Sequence, residues 1–342
     1  VRGAKAEAER VLRERLAAIE SGNYVARKRE TVGQFMESWL EGYATTHVTP
    51  RSLQGYRQKT RAYIIPCLGG VQLQSATPRH VQDLHKWMLD KGLSNQTVTH
   101  THRVLSEALK HATQWGLIPR NPAAAVSPPR PRPEGIQVWD IPTLRRFLEA
   151  AKDSPFLDVF RLALYTGLRR SELTGLRWDG VDFAARTLQV TGTLQRVTGH
   201  SLLVGQPKTK SSRRSIALGQ TAVNLLHAIR GRQVALQADL GDLYQNQAGY
   251  VFTNLQGNPV DSNRLTREFA RIVKEAGLPP ATLHGLRHCH ASLLLAEGVN
   301  IKAISERLGH SNVALTLNVY SHLLPGLQAA AADALDRRLA EG

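Results

Sequence analysis

Between residues 119 and 135 the chain reads Pro119-Arg120-Asn121-Pro122, then Ala123 to Val126, then Ser127-Pro128-Pro129-Arg130-Pro131-Arg132-Pro133-Glu134-Gly135. Proline lacks a backbone N–H and fixes φ, so a run this dense cannot continue a helix and favours an extended, semi-rigid connector. The chain is thereby divided into two parts, each of which must bury its own core. Its 342 residues are long enough for both.

Upstream of the connector, apolar residues recur at helical spacing. Residues 4–20 read as a charged amphipathic helix carrying Ala8, Val11, Leu12, Leu16 and Ile19 on one side. The chain starts at Val1 without an initiator Met, which suggests a fragment or a processed chain. Four helices are expected next. Thr31 caps the first (Val32, Phe35, Met36, Trp39, Leu40), and Pro50 opens the second, which ends near Pro66 and Gly69-Gly70. Thr77-Pro78 starts the third, and Ser94 leads into the fourth, which stops at Gly116.

Downstream, helices are expected at 140–151 and from Leu157 to a stop at Gly167. β-branched alternation over 187–194, 201–204 and 208–218 predicts a small antiparallel sheet with hairpins. Helices return at about 220–240, 262–276, 284–297, 301–308 and 313–320, and an Ala-rich segment at 327–339 makes a last one. The fold class is therefore mainly α with a small antiparallel β-sheet (α+β).

Forty-four Lys and Arg against 28 Asp and Glu give a formal charge of +16, which favours a polyanionic partner, though a solubilising basic surface has the same composition. The two cysteines, Cys67 and Cys289, are too few for a disulfide framework and fit a reducing compartment. No apolar run approaches the roughly 18 residues of a membrane span, and no signal-peptide pattern is present. A cytoplasmic, nucleoid-associated protein is expected.

The chemistry concentrates in His284-Gly285-Leu286-Arg287-His288, Leu308-Gly309-His310 and Asn318-Val319-Tyr320. His284 and Arg287 are three apart at a helix start, where side-chain charge and unsatisfied N–H groups together suit an anion such as phosphate. Far upstream stands Thr166-Gly167-Leu168-Arg169-Arg170-Ser171-Glu172-Leu173, and between the two boxes lies Pro207-Lys208-Thr209-Lys210-Ser211-Ser212-Arg213-Arg214. In this order these boxes resemble the tyrosine recombinases, the phage-integrase family.

The resemblance covers roughly residues 31–339. It implies a two-domain C-clamp on DNA: a possible remnant of an arm-site DNA-binding domain, or a coupling helix, at 1–28 (a frayed terminal helix being the alternative), a helical core-binding domain at 29–118, the linker at 119–135, a mixed catalytic domain at 136–325 and a C-terminal helical tail at 326–342. It implies site-specific cleavage and rejoining through a 3′-phosphotyrosyl bond, with no cofactor, metal or ATP, to integrate or excise a mobile element. Tyr320 is the implied nucleophile and Arg169 and Arg287 the phosphate clamp. Lys208 is the acid for the leaving 5′-oxygen, His284 the base, His310 a donor to phosphate, and Glu172 the carboxylate that orients Arg169 or a neighbour. The implied partners are double-stranded attachment sites, a homo-tetramer on two paired duplexes (a monomer off DNA), and accessory DNA-bending or directionality proteins. The tail would dock on a neighbour or pack in cis.

Candidate DNA contacts are Arg57, Lys59, Arg61, Thr97, Thr99, Arg103 and Lys110 in the first domain, Arg130 and Arg132 in the linker, and Lys210, Arg213 and Arg214 in the second. Charged exposed helix faces are ordinary, so any one of these has a bland reading. Arg169 alone could cap the preceding helix, Lys208 and Lys210 share a strand face, and Tyr320 competes with Tyr165, Tyr244 and Tyr250. A zinc site at His284 and His288 fails on geometry, because Cys289 and His290 point elsewhere around the helix. A type IB topoisomerase and a non-cleaving DNA-binding protein are the rival functions. Gly285 and Cys289 depart from the family's usual acidic residue and Thr.

Overall fold

Two separate cores organise the computed structural model, which describes residues 29–131, 137–195, 203–205 and 213–310 and the isolated positions 7, 9, 10, 12, 13, 313, 336, 339 and 340. The chain divides into unit 1, Val1–Glu134, and unit 2, Gly135–Gly342.

Unit 1 is helical. Helix α1 (Val32–Trp39) is capped by Thr31, whose hydroxyl accepts from the Gln34 N–H while the Gln34 side chain accepts from the Thr31 N–H. This reciprocal pair satisfies two of the N–H groups that a helix start leaves open. Beyond Trp39 the helix widens into a π turn, Leu40–Ala44, and α2 (Pro50–Lys59) does the same over Thr60–Ile64. The second helix, expected to end near Pro66 and Gly69-Gly70, does so: Ile65–Leu68 continues the path through Pro66, and Gly69 closes it.

Helices α3 (Pro78–Asp90) and α4 (Asn95–Gln114) complete the bundle, and Ser94 accepts from Thr97 N–H at the start of α4. Phe35, Met36, Trp39, Leu84, Met88 and Leu105 fill the centre. Trp39 Nε1 donates to His111 Nδ1 at 3.0 Å, so a buried indole N–H meets a buried acceptor. Much of the proline-rich stretch packs on this bundle rather than standing off it. Ala123 and Val126 join the core, Asn121 Nδ2 donates to Ser106 O, and Asn95 Nδ2 donates to Arg130 O.

Unit 2 opens with α5 (Ile141–Ala150), capped by Asp140, and α6 (Leu157–Thr166). A short helix α7 (Arg170–Thr174) leads into strands β1 (Val181–Asp182), β2 (Thr187–Val190), β3 (Thr193–Gln195), β4 (Leu203–Gly205) and β5 (Arg214–Ala217). Among the described residues they form the expected small antiparallel sheet, β1-β2-β5, with Leu188 opposite both Val181 and Ile216, and a separate β3-β4 ribbon. Helices α8 (Gln220–Leu240), α9 (Ser262–Glu275), α10 (Leu283–Ala296) and α11 (Ile301–Leu308) follow.

The core is aromatic around Phe147, Phe160 and Phe269, with Trp139 stacked on Phe269. Cys289, whose departure from the usual Thr had no role in the sequence, sits here. Its sulfur accepts from Trp139 N–H, while Trp139 Nε1 donates to Pro279 O, which ties the start of unit 2 to α10. The helices expected at 313–320 and 327–339 and most of the N-terminal helix fall outside the described residues.

Candidate functional site

Helix α6 ends at Gly167, whose φ of +65° lies in the left-handed region, and α11 ends the same way at Gly309, φ +66°. Such an ending turns the last carbonyls out of the helix unsatisfied, and the helix dipole makes them good acceptors for cations. Both arginines of the sequence motif use them. Arg287, from the second turn of α10, donates from Nη1 to Gly167 O at 2.6 Å and from Nη2 to Leu308 O at 2.5 Å. Arg169, just before α7, donates from Nη2 to Gly309 O at 2.8 Å. The two guanidiniums are thus anchored on consecutive carbonyls, Leu308 and Gly309.

Arg287 is buried at 2% exposure, which is tolerable because its charge is hydrogen-bonded. The Arg169 side chain, 34% exposed, opens to solvent. Gly167 is doubly required, because a Cβ there would lie 2.6 Å from His290 Cδ2 and 2.8 Å from Leu308 Cδ2.

Glu172 lies under Arg169 with its side chain 2% exposed. Its Oε1 accepts from Arg169 Nη1 at 2.9 Å and its Oε2 from the Arg169 backbone N–H at 2.8 Å. Burial alone would raise this carboxyl's pKa, but the Arg214 fork, helped by Arg169, outweighs it and holds the pKa below the usual carboxylate range.

His284 stands at the rim, its ring edge-on to His288 with centroids 4.9 Å apart. Desolvation lowers its pKa, and the charges of Arg287 and Arg169 lower it further. Desolvation, again reinforced by Arg287 and Arg169, pushes His310 down to about 4, and desolvation with His284 and Arg287 does the same to His288. The imidazoles of this site are therefore neutral at pH 7. Arg169, Glu172, His284, Arg287 and His310 come together. Lys208 and Tyr320 lie outside the described residues, as do Lys210 and Arg132. Of the rival tyrosines, Tyr244 and Tyr250 are buried, and Tyr165 lends its carbonyl to Arg307.

Arg214, expected to contact DNA, is turned inward with its side chain 7% exposed. Nη1 and Nη2 donate to Glu172 Oε1 and Oε2, each at 3.0 Å, and Nε donates to Arg307 O at 2.6 Å. A fork committed in this way has no edge left for a phosphate. The signal was in the sequence: Arg214 and Ile216 on β5 and Leu218 just after it alternate, and Ile216 and Leu218 are buried.

Arg307 and His290, which the sequence reading passed over, complete the frame. Arg307 donates to His290 Nε2, Ala217 O and Tyr165 O. With Nε2 accepting and Nδ1 donating to Leu164 O at 2.7 Å, His290 is fixed as the neutral Nδ1–H tautomer.

In unit 1, Lys59 and Arg103 line a cleft of about 850 Å³ with Tyr43, Tyr56 and His100. Arg57, Lys110 and Arg130 are exposed, as is Arg213 in unit 2. Arg61 is exposed as well but is paired through two contacts with Glu37. Thr99 differs from expectation: it is 6% exposed and its hydroxyl donates to Pro129 O, so it holds the chain after α4 instead of facing outward. Thr97 hydrogen-bonds Ser94 at the helix cap.

Residues 140–326 match the phage integrase family and residues 31–89 the N-terminal SAM-like domain of phage integrases. A tyrosine recombinase XerC-like protein of Caldanaerobacter subterraneus subsp. tengcongensis is 30% identical over 97% of this chain and 89% of its own length. The ICEBs1 integrase of Bacillus subtilis is 29% identical over 77% of this chain and 72% of its own. Among solved structures, the Tn1549 transposon integrase in complex with transposon right end DNA superposes with a TM-score of 0.74 at 24% identity, covering 90% of this chain and 99% of that one. A lambda integrase dimer bound to a core site gives 0.65 at 19%, covering 84% and 95%.

Proposed function

Because this chain belongs to the phage integrase family and is a site-specific tyrosine recombinase, we propose that Arg169 and Arg287, with His284 and His310, hold one scissile phosphate while Tyr320 attacks it. The observation that carries this reading is the anchoring of both guanidiniums on the consecutive carbonyls of Leu308 and Gly309. Cations fixed before the substrate arrives need no reorganisation as charge builds on the phosphorus oxygens. Arg169, the more open of the two, meets the phosphate directly, and Arg287 adds positive potential from beneath.

The Tyr320 oxygen bonds to phosphorus as the 5′-oxygen leaves. His284, neutral at pH 7, accepts the phenol proton, and Lys208 gives a proton to the leaving oxygen. His310, also neutral, donates N–H to a non-bridging oxygen. A 5′-hydroxyl from a partner strand reverses the sequence. The phosphotyrosyl ester conserves the bond energy, so no ATP or metal enters.

In this reading residues 29–118 act as a core-binding domain and 136–325 as the catalytic domain. Arg57, Lys59, Arg103, Lys110, Arg130 and Arg213 contact the phosphate backbone, with Arg132 and Lys210 alongside, and counterion release makes that binding salt-dependent. Solved lambda integrase is a dimer on a core site and a tetramer on a Holliday junction. A tetramer on two paired sites of a mobile element, aided by DNA-bending or directionality proteins in the cytoplasm, is the proposed assembly here. No described helix is long and apolar enough to cross a membrane.

A nicked suicide substrate tests the assignment. The full chain should form a covalent adduct that Tyr320→Phe abolishes, with unchanged gel-shift affinity. An adduct persisting in Tyr320→Phe would mean that another residue is the nucleophile.

A further inference from the structure

Four donors converge on the buried Glu172 carboxylate: the side chain and backbone N–H of Arg169, and both Nη atoms of Arg214. An isolated Arg169–Glu172 pair would be close to electroneutral, and in a buried setting the carboxylate would cancel much of the positive field that Arg169 presents. The second guanidinium changes this balance. Two cations about one anion leave one net positive charge, and Arg169 is the member of the trio that opens to solvent, whereas Arg214 and Glu172 are enclosed.

The trio is also fixed in space. Arg214 Nε is anchored on Arg307 O, and Arg307 in turn bridges His290, Ala217 and Tyr165. Those contacts join the end of β5, the end of α6, α10 and α11, the same elements that supply the arginine anchors.

We propose that Arg214 is a positioning residue for strand cleavage: by engaging both oxygens of Glu172 it keeps that carboxylate from neutralising Arg169, whose charge then remains available to the scissile phosphate. The inference rests on the reading that Arg169 binds the phosphate. It differs from a DNA-contact role, which would weaken binding and lower the salt dependence by about one phosphate's worth.

The test uses the full chain, single-turnover cleavage of a suicide substrate, and gel-shift affinity. Arg214→Gln should slow cleavage by roughly 100-fold, the scale of losing one preorganised electrostatic contact, with affinity within about twofold of the parent protein and no change in salt slope. Arg214→Lys, which keeps the charge but not the fork, should fall between. The double variant Glu172→Gln/Arg214→Gln should cleave faster than Arg214→Gln alone, because the uncompensated carboxylate is gone. The deficit of Arg214→Gln should also narrow from pH 8 to pH 5.5 as Glu172, no longer held by two cations, takes up a proton.

A role in packing alone predicts the opposite, with the double variant slower than either single one and no pH effect. If Arg214→Gln fails to fold, as judged by its melting transition, Arg214→Lys and the double variant carry the comparison. The inference is overturned if Arg214→Gln cleaves at the parent rate, if its main defect is in affinity, or if the double variant is the slower. Arg169→Ala separates the two levels. Normal cleavage by it removes the phosphate reading, whereas loss of cleavage together with an indifferent Arg214 removes only this inference.

Discussion

Gly167→Ala should damage both the stability and the chemistry of unit 2, and the two contributions can be measured apart. The left-handed conformation at φ +65° costs an L-residue about 1 to 2 kcal/mol. The added methyl would sit 2.6 Å from His290 Cδ2 and 2.8 Å from Leu308 Cδ2, inside any tolerable contact, and overpacking of this kind costs about 1 to 3 kcal/mol. Gly298→Ala supplies the reference, since Gly298 has φ +74° but nothing within 4 Å of its Cβ position. It should lose only the conformational part. For a unit of this size 1 kcal/mol corresponds to about 2 to 4 °C. Gly298→Ala should therefore melt roughly 2 to 8 °C low, and Gly167→Ala a further 2 to 12 °C below that. Covalent-adduct formation should fall at least tenfold in Gly167→Ala alone, because relieving the clash moves the carbonyl that holds Arg287 Nη1. Equal melting temperatures for the two variants, or a displaced transition with unimpaired cleavage, would refute the reasoning.

Three further outcomes follow from the geometry. His290 is held at about 4 against an ordinary 6.5, so its contribution to stability is complete above pH 6.5 and is lost as pH falls toward 4. A thermal melt series over that window should show unit 2 weakening by up to about 3 kcal/mol from this group, with a flatter slope in His290→Asn. Gly285→Ala should raise the melting temperature by about 2 to 4 °C with cleavage intact, since its Cβ would meet only ordinary contacts at 3.7 and 4.0 Å; a lower melting temperature would count against the packing described. Lys59→Ala and Arg103→Ala, at the cleft of unit 1, should each weaken DNA binding uniformly across sequences and lower the salt slope by about one, measured by titration at several salt concentrations.

What was legible in the sequence was chiefly what is local. Thr31, Ser94 and Asp140 cap the helices their positions suggest, because a cap is decided within four residues. Gly167 stops α6 for the same reason. The meeting of Arg169 with Arg287 came from the resemblance and not from any spacing, since the carbonyls that unite them belong to main chain that no side-chain pattern marks. Arg214 and Thr99 were read by residue type, as a cation and a hydroxyl on a basic protein, when the strand alternation and the helix face put both inward. The π turns at Leu40–Ala44 and Thr60–Ile64 went unread because a π turn has no dependable sequence signature. Strand β1, only two residues long, falls below the length at which alternation can be recognised.

The clamp's attachment to main chain has a consequence for how this protein tolerates change. Three of the acceptors that hold its cationic pair, the oxygens of Gly167, Leu308 and Gly309, are present whatever amino acid occupies the position, so ordinary codon drift cannot delete them. Only a change that redirects the peptide plane can. The vulnerability of the proposed phosphate clamp is thereby concentrated at two helix endings, where the hazard is a change of backbone direction and not of chemical group.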